Sequence, residues 1–156
     1  MAIVALQAVS IPTDARILHF PEAVSQSFKK GQAIYLVAGK VTVCASDAAL
    51  IAGFACQDAS GVVDTEIAIA ITAPGILFEM NIYHSTPASA ITAITDVGTK
   101  YGLYVAGNKS YVDKEDTINM RFVVVALSPR DNVGDQYGRV LVEVGKTYCQ
   151  LSGVIL

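Results

Sequence analysis

The feature that most constrains this chain is its punctuation. From Gly31 onward, apolar runs of roughly 4–8 residues recur at roughly 8–12-residue intervals, separated by Gly, Pro, Asn and Asp, which is the rhythm of short strands in a sandwich or barrel. AIYLV (33–37) and KVTVC (40–44) flank Ala38-Gly39, a pair suited to a tight hairpin with the glycine at positive φ. LIAGFAC (50–56) ends in QDASG, where Asp58 and Gly61 are turn formers. TEIAIAIT (65–72) alternates Ile67, Ile69 and Ile71 with Ala68 and Ala70. Large side chains then fill one face, and small ones let another element approach the other.

Pro74-Gly75 marks a turn, and ILFEMNIY (76–83) opens a second series. There Leu77, Glu79 and Asn81 alternate with Ile76, Phe78, Met80 and Ile82. Strands are expected at GLYVAG (102–107), SYVD (110–113), MRFVVVAL (120–127), RVLVEVG (139–145) and TYCQL (147–151). Phe122 to Leu127 is apolar on both faces and is placed centrally. A short helix is expected at 92–97, capped by Ser89 or Thr92 and ended by Gly98. SPRDNVGDQYG (128–138) reads as a long polar loop. The expectation is an all-β fold, a compact barrel or sandwich of about ten short strands with one short helix. It divides into two small β subdomains, 28–75 and 76–156, preceded by an arm over 1–27. In the lead-in, IVALQAV reads as a strand or extended arm, Pro12 and Pro21 interrupt any long helix, and residues 24–28 read as a short strand.

Charged residues make up 16% of the 156 residues and hydrophobic ones 53%, against a usual charged share of about 25%. A chain so poor in charge is expected to bury part of its surface against other chains. The net charge is −3 and Lys29-Lys30 is the only basic pair, so no nucleic-acid partner is expected. The richest apolar run, Ala48 to Cys56, falls far short of the roughly 18 residues of a membrane span. The apolar N-terminus has no Lys or Arg before it and does not read as a signal peptide. Cys44, Cys56 and Cys149 are an odd set without a targeting signal and read as buried free thiols, with a Cys44–Cys56 bridge between neighbouring strands as the alternative.

Groups that could carry chemistry stay scattered. His19 and His84 lie outside any zinc-ligand spacing. Gly145-Lys146-Thr147 has the end of a phosphate-binding loop, but Val140 occupies the position of the required first glycine. Gly107-Asn108-Lys109-Ser110 reads as a hairpin loop. Asp113, Glu115 and Asp116 are interleaved with Lys114 and lack the glycine of a calcium loop, so they read as a solvated turn, and Asp131 and Asp135 read similarly. No GxSxG is present, and no Ser or Cys can be assigned a histidine base. No cofactor, no metal and no catalytic residue is expected. Tyr101, Tyr104, Tyr111, Tyr137 and Tyr148 suit either core or interface.

FKKGQAIYLVAGKVTVCASD followed by LIAGFACQDASG resembles the small β-rich head-decoration, or cement, proteins of tailed bacteriophages, with Gly31, Gly53, Ala55, Asp58, Ala59 and Gly61 as carriers. The later stretches GILFEMNIYHS, TDVGTKYGLYVAGNKSYVD and MRFVVVALSPRDNVGDQYGRVLVEV look similar to them through Phe78, Gly98, Tyr101, Gly102, Leu103, Asp113, Val124, Arg139 and Val140. The resemblance covers about residues 28–145 and leaves the arm out. It implies a non-enzymatic protein made in the host cytoplasm that binds the outside of an icosahedral shell in the virion. The implied partners are the major capsid protein and copies of the same chain, as a homotrimer. Contacts are expected from the arm, through Ile3, Val4, Leu6 and Val9, and from the long loop, through Arg130, Asp131 and Tyr137. Other readings are a head-completion or tube protein, and a soluble ligand-binding barrel.

Overall fold

The computed structural model describes residues 2–152, so Met1 and the end of the expected second subdomain, 153–156, lie outside the described residues. Its first series of strands forms an antiparallel sheet of β1 (Ile17–Pro21), β2 (Ala33–Val37), β3 (Lys40–Val43), β4 (Gly53–Ala55) and β5 (Glu66–Ile71), in the order β1-β5-β4-β2-β3. Its second series closes into a barrel of β6 (Phe78–Tyr83), β7 (Lys100–Ala106), β8 (Lys109–Asp113), β9 (Phe122–Leu127) and β10 (Arg139–Val144). The barrel order is β10-β6-β8-β7-β9, with β6 and β8 parallel and the other pairs antiparallel. Closure leaves the barrel no free edge.

The alternation in the sequence decides what each face meets. In β5, Ile67, Ile69 and Ile71 pack with Phe28, Ile34, Val41 and Ala55 into one core. Its small face does the other job: Ala70 pairs with Phe54, Phe54 with Ala33, and all three join the barrel's core. The Phe54 and Phe78 rings meet at 4.6 Å between centroids. The two strand series therefore meet at Pro74-Gly75 in sequence but share a core in space. Gly53 makes the close approach possible, since a Cβ there would lie 2.2 Å from the Ala70 carbonyl oxygen. The Ala38-Gly39 hairpin forms with both residues at positive φ, 50° and 77°, as a two-residue turn of the primed type requires.

Several local expectations fail. The lead-in contains β1, which pairs with β5 over its full length. Pro21 is the last residue of β1 and is tolerated there because β1 is an edge strand of its sheet. Residues 24–28 are not a strand; Phe28 buries as a single core side chain. The expected helix at 92–97 is one 3₁₀ turn, Ile94–Asp96, without a Ser or Thr cap. The Asp96 carboxylate instead reaches back to the Ala93 N–H at 2.8 Å, while Gly98 does take the left-handed conformation. TYCQL is not a strand either. Lys146–Tyr148 is a 3₁₀ turn, and only Cys149 makes a bridge, to Ile51. Strand β9 sits between β7 and β10 as expected, but its outer face stays at the surface, with Val125 42% exposed. Glu22 is fully buried and accepts the N–H groups of Ser60 and Gly61 and the Ser60 hydroxyl at 2.7–2.9 Å, tying the loop at 60–64 to β1.

Candidate functional site

The arm and the long loop, distant in sequence, lie together on one side of the barrel. IVALQAV is not a strand: residues 2–10 make only isolated bridges, Ile3 with Gln136 and Ser10 with Glu79. Between them a side chain replaces the ladder. Asn81, on the outward face of β6 and 2% exposed, donates from Nδ2 to the carbonyls of Ala5 (3.1 Å) and Tyr137 (2.8 Å). Its Oδ1 accepts the Gln7 N–H at 3.0 Å. The arm start is held by Gln136 and by the Asp135 carboxylate, which accepts the Ala2 N–H.

The loop is organised by its own acids. Asp131 forms a buried two-oxygen pair with the Arg139 guanidinium and also accepts the Arg139 N–H, which holds its carboxyl below the ordinary range. Glu79 accepts Ser128 Oγ and Arg130 Nη1, each at 2.7 Å. Asp135 caps the turn by accepting the Asn132 N–H. Tyr137 sits at φ 54°, in the left-handed region that costs a non-glycine residue about 1–2 kcal/mol. Its N–H to Ala90 and its carbonyl to Asn81 hold it there.

The expected contact residues therefore divide. Ile3 (72% exposed) and Leu6 point outward, Val4 is half-buried, and Val9 is buried in this chain's own core, which corrects its reading as an outward contact. Arg130 is exposed but tied to Glu79, Asp131 is committed to Arg139, and Tyr137 is half-buried. Val133, in the same loop, is 57% exposed, and no local pattern in the sequence marks it. Asn81, Glu79 and Gln136 were also missed. The available signal was the alternation at 76–83, which puts Asn81 on the outside of an apolar strand, where a polar side chain needs partners.

Chemistry-bearing groups elsewhere make structural contacts. His84, Ser85 and Glu115 converge, but the Ser85 hydroxyl donates to Glu115 at 2.5 Å rather than to the histidine. His84 Nδ1 lies 3.0 Å from the Thr86 nitrogen, whose N–H it accepts, and 3.4 Å from Glu115 Oε1. The Ser85 bonds hold the Glu115 carboxyl below its ordinary range. Asp113 and Asp116 accept backbone N–H groups of their own turn, and a hydrogen bond with Asp116 raises the Asp47 carboxyl. Among the described residues, no three His, Cys, Asp or Glu side chains are grouped to hold a metal ion. The Gly145 N–H is spent on the Arg121 carbonyl, and Lys146–Tyr148 is a 3₁₀ turn rather than the start of a long helix. The three cysteines are free, and burial pushes the Cys44 thiol up to about 12.

Tyrosines serve packing more than display. Tyr83 and Tyr104 stack at 4.1 Å with Tyr111 beside them, and the hydrogen bond with Tyr104 helps push the Tyr83 hydroxyl up to about 12. The Tyr101 hydroxyl donates to the buried Asp96 carboxylate at 2.7 Å. The strongest candidate for a functional surface is the face built by the arm and the 128–138 loop. Comparisons with protein-family models, curated proteins and solved structures found no match to this chain.

Proposed function

We propose that this chain is a non-enzymatic structural protein of a tailed phage that binds the outside of an assembled shell and stabilises it. The observation that carries the reading is the arm–loop face. Several of its backbone polar groups find partners within the chain, through Asn81, Gln136 and Asp135, while Ile3, Leu6 and Val133 stand out from it. A surface of this kind loses few hydrogen bonds when another protein covers it, and the apolar tips gain about 25 cal/mol per Å² buried. Repetition over many shell sites, and a trimeric form, would multiply weak contacts into firm attachment. The resemblance of residues 28–145 to head-decoration proteins points the same way. The test is incubation with empty, expanded capsids of the phage that carries the gene. Saturable binding and raised thermal resistance of the shell are expected, with loss of binding in the Ile3→Asp, Val133→Asp double variant. Absence of binding by the parent chain rejects the proposal.

A further inference from the structure

One rim of the barrel carries a cleft that the arm–loop face does not use. It lies where β9 begins and β10 ends, has a volume of about 280 Å³, and is open on one side. Three cations line it, Lys100, Arg121 and Lys146, and no carboxylate does, in a chain whose net charge is −3. Lys100 and Lys146 are exposed, and among the described residues neither is in an ion pair. Arg121 is fixed in place. Its Nε donates to the Ala48 carbonyl at 2.6 Å, its Nη2 to the Asp47 carbonyl at 3.3 Å, and its guanidinium lies 4.5 Å over the Tyr148 ring. Carbonyls and a ring orient that charge, and the nearby Asp47 carboxylate feels it without closing an ion pair. The part-exposed Met120, Val123 and Tyr148 make the rest of the lining mostly apolar.

We propose that this cleft binds an acidic peptide segment of a partner protein, with an apolar side chain against Met120 and Tyr148 and flanking carboxylates at Lys100 and Lys146. Size decides for a peptide: the cleft lies just below the roughly 300–1,000 Å³ of sites that enclose a small ligand, and it is open, so it suits a side chain or two of a longer chain. Charge complementarity supplies selectivity, and the apolar lining supplies affinity. Only the identity of the partner, the shell protein, rests on the function proposed above.

The test titrates acetyl-Glu-Leu-Glu-amide into the isotope-labelled chain and follows backbone amide shifts. Saturable shifts at residues 100, 121–123 and 145–148 are expected, weakened about five-fold or more in the Lys100→Gln, Lys146→Gln variant and several-fold on raising salt from about 0.05 to 0.3 M. Acetyl-Gln-Leu-Gln-amide should bind at least five-fold more weakly. Equal binding of the two peptides, shifts centred elsewhere, or an unaffected double variant overturns the proposal. Both lysines are exposed, and an unchanged amide spectrum away from the cleft checks that the variant is folded. Capsid binding that survives in the double variant, with no peptide binding by the parent, sinks this inference and leaves the proposed function standing. Peptide binding without capsid binding does the reverse.

Discussion

Replacing Asn81 with alanine removes the clamp between arm, barrel and loop, and its cost can be worked from the contacts. Three hydrogen bonds disappear, to the Ala5 and Tyr137 carbonyls and from the Gln7 N–H. At about 1 kcal/mol net each the loss is about 3 kcal/mol. The backbone groups left behind are only partly buried, so water re-solvates some of them and the expected loss is about 2 kcal/mol. For a chain of this length that corresponds to a fall in Tm of about 4–8 °C. Thermal unfolding by circular dichroism measures the total, and amide hydrogen exchange locates it. The Gln7 N–H should exchange much faster. The Ser10 N–H, held by the Glu79 carbonyl at 3.0 Å without help from Asn81, should lag behind. Asn81→Asp keeps the shape and the acceptor for Gln7 but turns two donors against two carbonyls. It should cost at least as much near neutral pH and recover part of the loss in acid, where the carboxyl regains a proton to donate. A Tm within about 1 °C of the parent, with Gln7 still protected, would mean that the two isolated bridges hold the arm unaided and that the reasoning is wrong.

Gly53→Ala should cost about 3 kcal/mol, because the new Cβ meets the Ala70 carbonyl inside the shared core, whereas Gly39→Ala, at φ 77° in open space, should cost about 1–2 kcal/mol. Urea midpoints check the order, and a reversal refutes the close-approach argument. Asp131 has its carboxyl lowered by Arg139, so its stabilisation is complete above the unfolded value near 4 and is lost as pH falls through the folded value. Unfolding from pH 2 to 6 should show a decline at the acid end that is shallower in Asp131→Asn. Burial raises all three thiols, but only Cys56 is half-buried rather than buried, so in the native chain it should react first with a disulfide reagent at pH 8. Mass mapping that finds Cys44 labelled first would contradict this.

Local patterns made much of the fold legible. Ala38-Gly39 announced its hairpin, and the Ile/Ala alternation at 65–72 announced a strand with one filled and one approachable face. Both arise from neighbours in sequence, where side-chain period and allowed φ act directly. The strand β1 was not legible, since ILHFP between two prolines gains its register only from β5, some fifty residues later. TYCQL failed for the opposite reason: its residues favour strands, but Gly145 and Cys149 are fixed by Arg121 and Ile51, and a tight turn is what fits between.

The candidate surfaces divide in the same way. Sequence by itself determined the class of the fold and the shortage of charge, because each is a property of composition or of short-range spacing. Tertiary structure alone decided that the arm lies along its own barrel, that Val9 turns inward while Ile3 turns outward, and that Asn81 clamps arm to loop. It alone brought Lys100, Arg121 and Lys146 to one rim. The physical reason is long-range pairing: which residue covers which is set when the barrel closes and two apolar faces meet, and no local period encodes that meeting.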